Sequence, residues 1–82
     1  LMPGVGSHKI LKDMEKMMID QIGIDAGKIW NELELNGEMT TGALKKSLDM
    51  TPFNLNIAIG WLAREDKVSL TRNGNTIKVL LK

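Results

Sequence analysis

The sequence contains no cysteine, only one histidine and little net charge, and it has no long apolar run. Without cysteine the chain cannot form a disulfide, supply a thiolate metal ligand or carry a thiol nucleophile. A membrane span needs about 18 or more apolar residues, and the first residues lack the basic and then apolar layout of a signal peptide. We therefore expect a soluble cytoplasmic protein without membrane attachment.

Patterns that mark catalytic or ligand sites are also missing. The histidine, His8, falls in a glycine-rich opening, and no paired metal-ligand spacing, phosphate-binding glycine loop or activated nucleophile accompanies it. Glu32 and Glu34 are two residues apart on a predicted helix, so their carboxylates point in different directions. We predict that the protein is not an enzyme and that it uses no cofactor, metal or small-molecule ligand.

The charge is nearly balanced, with eleven basic and ten acidic residues and a net charge of +1. Residues 23–50 carry three basic and five acidic residues, whereas residues 51–82 carry five basic and two acidic ones. So small a net charge gives little long-range attraction to a polyanion. Binding to nucleic acid would depend on local clusters of basic residues.

A chain of 82 residues, 43% of them apolar, has room for one small domain. Such a chain buries only roughly 60 to 65% of its unfolded surface, so self-association is one way to gain buried area. We divide it into a flexible tail at residues 1–8 that resembles a tag remnant, a lead-in helix at residues 9–22 and a domain at residues 23–82. A homodimer is compatible with this length.

Two helices are predicted in the first half of the chain. The lead-in helix is indicated by apolar residues at intervals of three and four, namely Ile10, Leu11, Met14, Met17, Met18 and Ile22. We expect this face to pack on the domain or to form a dimer contact. Asp25 is predicted to be the N-cap of the next helix, and Asn36-Gly37 is predicted to end it.

A short bridging strand at residues 38–40, a short helix and a tight turn come next. The short helix begins at Thr40 or Thr41 and is followed by the turn Asp49-Met50. Thr51 is predicted to cap the following helix, with Pro52 at its first position, where a missing N–H costs nothing. The spacing predicts that this helix buries Leu55, Ala58, Ile59 and Leu62.

The end of the chain, Val68–Leu81, is predicted to be a β-hairpin. Asn73-Gly74 is a strong signal for a type I′ turn, which needs positive φ at both central residues. Pairing through that turn places Leu70 opposite Ile77 and Val68 opposite Val79. All four side chains then lie on one face of the hairpin.

This order predicts an α+β winged helix-turn-helix fold, with a three-helix core, a C-terminal hairpin wing and an additional N-terminal helix. Two sequence motifs make the resemblance more specific, Ala26-Gly27-Lys28-Ile29-Trp30 and Gly60-Trp61-Leu62-Ala63-Arg64-Glu65-Asp66-Lys67. With them the chain resembles a family of short bacterial and archaeal winged helix-turn-helix proteins of uncharacterised function. That resemblance implies a fold and no established activity.

The fold suggests a nucleic-acid-binding, transcription-regulator-like module, with Thr51–Arg64 as recognition helix and Val68–Leu81 as wing. Asparagine can bond adenine, and basic residues with a helix N-terminus can hold the phosphates of double-stranded DNA. The candidate residues are Lys45, Lys46, Thr51, Asn54, Asn56, Arg64, Arg72, Asn73 and Lys78. Such polar residues are more often an ordinary solvated surface, so this set has only thin support.

The alternative is a protein interaction or homodimerisation module that does not bind DNA. Its candidate residues form an apolar stripe along the same helix, namely Phe53, Ile57, Gly60 and Trp61. An exposed apolar stripe marks an interaction site, and tryptophan is enriched at interface hot spots. If Trp61 instead packs under the wing or against the lead-in helix, the stripe is part of the core.

Overall fold

A computed structural model describes the backbone of residues 3–82 and the side chains of residues 16–82. Its elements in chain order are α1 (Pro3–Asn36), β1 (Met39–Thr40), α2 (Thr41–Leu48), α3 (Pro52–Arg64), β2 (Val68–Asn73) and β3 (Thr76–Leu81). The strands form an antiparallel sheet in the order β1-β3-β2. This confirms the predicted α+β winged helix fold, with β2 and β3 as the wing.

The two helices predicted in the first half are one continuous helix, α1, of 34 residues. Asp25 lies inside this helix, so the prediction of an N-cap at Asp25 is wrong. The apolar spacing runs without a break from Ile22 to Ile29, and a glycine such as Gly23 inside a helix costs only about 1 kcal/mol. α1 also includes residues 3–8 of the predicted tail, while residues 1 and 2 lie outside the described residues. The division into a lead-in segment and a domain at residue 23 stays a prediction.

The end of α1 is where the sequence predicts it. Gly37 has a φ of 76°, a left-handed conformation that glycine adopts without steric cost, and its N–H donates to the carbonyl of Leu33 at 2.8 Å. The chain then turns into β1, which pairs with β3. The predicted bridging strand is confirmed.

Threonine caps fix the starts of the two shorter helices. The Thr40 hydroxyl accepts a hydrogen bond from the N–H of Ala43 at 3.1 Å, and the Thr51 hydroxyl accepts one from the N–H of Asn54 at 3.2 Å. Pro52 follows Thr51 at the first helical position, as predicted. These bonds satisfy N–H groups that have no partner within their own helix.

The core lies between the C-terminal half of α1, the other two helices and the sheet. Its buried residues are Ala26, Ile29, Leu33, Leu44, Leu55, Ala58, Ile59, Leu62, Val68 and Val79. All four residues predicted to be buried on α3 are among them. α3 therefore has a fixed inward side, and its opposite side faces outward.

The wing is paired two residues away from the predicted register. The predicted partners are wrong, since the observed pairs are Leu70 with Val79 and Val68 with Leu81. The turn residues are Gly74 and Asn75, and only Gly74 has a positive φ, of 64°, which is the pattern of a type II′ turn. Because side chains alternate with a period of two, this shift leaves every side chain on its predicted face. Burial alone could not choose between the two turns.

Candidate interaction surface on the third helix

The outward side of α3 carries apolar side chains in the place where a recognition helix usually carries polar ones. Phe53 is 66% exposed and Trp61 is 40% exposed, so neither is a core residue. Ile57 is half-buried and Gly60 is exposed. Trp61 is therefore not sealed under the wing or against α1, and the four residues form a partly exposed apolar face.

A shallow groove separates this face from α1. It is lined by Met18, Gln21, Ile22, Asp25, Phe53, Asn54 and Ile57. Its volume is about 100 Å³, well below the roughly 300 to 1,000 Å³ of typical small-molecule sites. A groove of this size suits side chains of another macromolecule better than a free ligand.

A carboxylate lies inside the groove among these apolar side chains. Asp25 is only 6% exposed, and its Oδ1 accepts a hydrogen bond from Nε2 of Gln21 at 2.9 Å. Within residues 16–82, no lysine or arginine nitrogen lies within 4.0 Å of it, and its Oδ2 has no hydrogen-bond partner. No fully buried side-chain oxygen or nitrogen in that part of the chain lacks a partner, so Oδ2 keeps some solvent exposure.

Sequence reasoning missed Asp25 as a site residue because it was assigned to a helix cap. The signal that identifies it is its spacing from Ile22 and Ile29, which places it on the apolar stripe of α1. A carboxylate on a core-facing stripe needs a partner, because burying an unpaired charge is costly. The carboxylate of Asp25 therefore makes a polar contact either within the fold or with a partner molecule.

The candidate nucleic-acid residues on α2 and α3 do not form one cluster. Lys45 and Lys46 are exposed near the end of α2. Asn54 lines the groove toward α1, whereas Asn56 is two residues further along α3 and points to a different side. The hydroxyl of Thr51 is already used to cap α3.

The candidate residues on the wing are partly engaged by their own chain. Nε of Arg72 donates to the carbonyl of Gly74 at 3.1 Å, and Nζ of Lys78 lies 3.7 Å from a carboxylate oxygen of Glu38. Asn73 is the last residue of β2. Arg64 is the one basic residue of α3, and it is exposed at the end of that helix.

Other kinds of site have no support within residues 16–82. No group of three His, Asp or Glu side chains there is arranged to hold a metal ion. In the described part of the chain, no helix combines the length and the hydropathy that crossing a bilayer requires.

Comparison with known proteins finds a family model and relatives that match most of the chain. The model of the family described as "Winged helix-turn-helix domain (DUF2582)" matches residues 14–81. The chain is similar to the uncharacterized protein MJ1608 of Methanocaldococcus jannaschii, with 41% identity over 68 residues that cover 79% of this chain and 96% of that protein. It is also similar to the solution NMR structure of protein BT2368 from Bacteroides thetaiotaomicron, with a TM-score of 0.69, 29% identity and 76% of each chain covered.

Proposed function

We propose that this chain, which belongs to the winged helix-turn-helix family DUF2582, acts through the outward face of α3 and that this face binds protein. The same scaffold serves nucleic-acid binding in some proteins and protein binding in others. The kind of partner must therefore be inferred from the residues on the face. The observation that carries the proposal is the exposure of Phe53, which lies beside Ile57 and the groove. Winged helix-turn-helix domains are typically not enzymes, and no enzymatic activity is proposed.

Electrostatics favours protein over nucleic acid at this face. α3 carries a single basic residue, Arg64, and the groove beside it holds the buried carboxylate of Asp25. A DNA-binding surface gains most of its affinity from lysine and arginine at phosphates. A carboxylate in the groove would repel a phosphate there, whereas it would attract a basic side chain.

The apolar content of the face supports the same conclusion. Met18 is 63% exposed and faces the groove together with Phe53. Large contiguous apolar patches on a small protein usually mark interaction sites. Trp61 extends the face along α3, and aromatic residues dominate the binding energy of many interfaces. A protein partner would cover this apolar surface.

The test is photo-cross-linking in the organism that encodes the protein. A photoreactive phenylalanine analogue replaces Phe53 in one strain and Leu35 in a control strain. Leu35 is also an exposed apolar residue, at 82%, but it lies on α1 outside the groove. We expect a protein adduct from position 53 and none from position 35. Absence of any adduct at position 53 overturns the proposal.

DNA binding is the second candidate function, and one observation favours it. Within residues 16–82, no carboxylate oxygen lies within 4.0 Å of the side-chain nitrogens of Lys45, Lys46, Arg64 or Arg72, and all four residues are exposed. Their side-chain nitrogens, apart from the Nε of Arg72 that donates to the carbonyl of Gly74, could contact phosphates. In this alternative the module is a transcription regulator, with α3 as recognition helix and the β2-β3 hairpin as wing.

Sedimentation with a labelled mixed-sequence duplex at several salt concentrations tests this second candidate. Binding that weakens with salt, and that loses about two units of the salt slope in the Lys45→Ala, Lys46→Ala double variant, supports DNA binding. Lys28→Ala, which removes an exposed lysine from α1, is the matched control. A protein that does not shift the duplex even at low salt rules this candidate out.

A further inference from the structure

We propose that the molecule bound at the α3 face is a second copy of the same chain, with the two α3 helices packed antiparallel about a two-fold axis between residues 57 and 60. This inference rests on the proposed protein-binding function and adds the identity of the partner. In a two-fold interface the same patch is used by both copies, so the patch must be complementary to itself. The outward face of α3 meets that requirement in shape and in charge.

The spacing along α3 sets the pairing. Phe53 and Arg64 are eleven residues apart, which is about three helical turns, so they lie on one side of the helix at its two ends. Antiparallel packing places Phe53 of one copy against Arg64 of the other. The same arrangement places Ile57 of each copy against Gly60 of the other.

Gly60 gives the face the shape that this pairing needs. A Cβ added at Gly60 would meet no atom of its own chain within 4 Å, so the fold does not require a glycine there. Glycine inside a helix is less stable than alanine, because its unfolded chain loses more conformational freedom. The gap at Gly60 lets another backbone come close, and the Ile57 side chain of a second copy would fill it.

The charges on this surface complement each other between copies. Asp25 lines the groove, and among residues 16–82 its Oδ2 has no hydrogen-bond partner and Arg64 has no carboxylate oxygen within 4.0 Å. Because Phe53 lines the same groove as Asp25, the Arg64 that packs on Phe53 is brought to that carboxylate. An arginine can stack on the ring and bond the carboxylate at once. The two-fold axis repeats this contact.

A second copy fits these observations better than an unrelated protein, because both halves of each contact are present on one chain. Among the side chains of residues 16–82, the carboxylate of Asp25 has no basic partner and Arg64 has no acidic one, and an antiparallel pair supplies both. The gap at Gly60 and the side chain of the half-buried Ile57 are likewise matched. No additional residue is needed to complete the interface.

Sedimentation equilibrium of the full chain tests the shape argument. We expect the unmodified protein to be a dimer, and Gly60→Leu to raise the dimer dissociation constant by about tenfold or more, as for a central interface residue. The unfolding midpoint of the dilute Gly60→Leu monomer should stay the same or rise, because leucine favours a helix. Gly27→Leu, at a helical glycine of α1 that also has open space around it, should leave the dissociation constant unchanged. A monomer at all concentrations overturns the inference, as does a dimer that Gly60→Leu leaves intact.

A double-mutant cycle tests the charge argument. Asp25→Asn keeps an oxygen that can accept from Gln21, and Arg64→Gln removes the guanidinium. Each single change should raise the dissociation constant, and the double variant should show no greater rise than the more damaging single one. If the double variant instead raises the dissociation constant by the product of the two single increases, the two side chains do not meet and the pairing is overturned.

The cross-linking experiment separates failure of this inference from failure of the proposed function. An adduct from position 53 with twice the mass of the chain supports the second copy. An adduct with a different protein overturns this inference and leaves the protein-binding function standing. Loss of every adduct overturns both.

Discussion

α1 carries one apolar stripe from Met18 to Leu33, yet only the C-terminal part of that stripe is covered. In the C-terminal half Ile29 and Leu33 are 0% and 1% exposed, whereas Met18 in the N-terminal half is 63% exposed. Length explains the difference, because α1 has 34 residues and α3 has 13, or about 51 and 20 Å. The shorter helix cannot cover the longer one. An apolar stripe in a sequence therefore predicts a helical face and does not say whether the domain itself covers that face.

The largest expected effect is in the covered half. Leu33→Ala should lower the free energy of unfolding by about 2 to 5 kcal/mol, because it leaves a cavity in a packed core. Leu35→Ala, two residues further along the same helix but exposed, should change it by less than about 0.5 kcal/mol. Urea denaturation of both variants measures the difference. Equal losses from the two variants would contradict the assignment of Leu33 as buried and Leu35 as exposed.

A smaller effect is expected at two glycines, Gly37 just after α1 and Gly27 inside it. Gly37→Ala should destabilise the protein by about 1 kcal/mol or more, because alanine is strained at the φ of 76° that ends α1. Gly27→Ala should instead stabilise it by about 0.5 to 1 kcal/mol, since Gly27 is helical and its surroundings are open. Thermal unfolding of the two variants checks the signs. A loss at Gly27 as large as that at Gly37 would contradict this assignment.

The smallest effect is expected at Met18, in the exposed part of this stripe. Met18→Gln should change the free energy of unfolding of the dilute protein by no more than about 0.5 kcal/mol, because an exposed side chain has little burial to lose. Urea denaturation at low protein concentration measures this. A cost of several kcal/mol would mean that Met18 is covered even in the isolated chain.

Local chemistry explains which parts of the fold were predictable. The caps at Thr40 and Thr51 and the helix end at Gly37 depend on a few neighbouring residues. Thr51 and Gly37 are where the sequence predicts them, and Thr40 is one of the two residues predicted to begin α2. The hairpin register was not predictable, because Asn73-Gly74 and Gly74-Asn75 both offer a two-residue turn with the same buried face. The site was predictable in part. Spacing identified the apolar face of α3. Asp25 was not identified, because aspartate is a common helix cap and this one lies inside a helix.

The sequence by itself determined the order of the elements from β1 onward, the inward stripe of α3 and the small net charge, because these follow from local conformational preference, residue spacing and composition. Only the tertiary structure decided that α1 continues through Asp25, that Phe53 and Trp61 remain exposed, and that the buried carboxylate of Asp25 lines a groove with Phe53. The physical reason is that the exposure of a side chain depends on which helices and strands pack against it. Residues far apart in the chain make that cover, and their relative lengths and positions are fixed only when the domain packs.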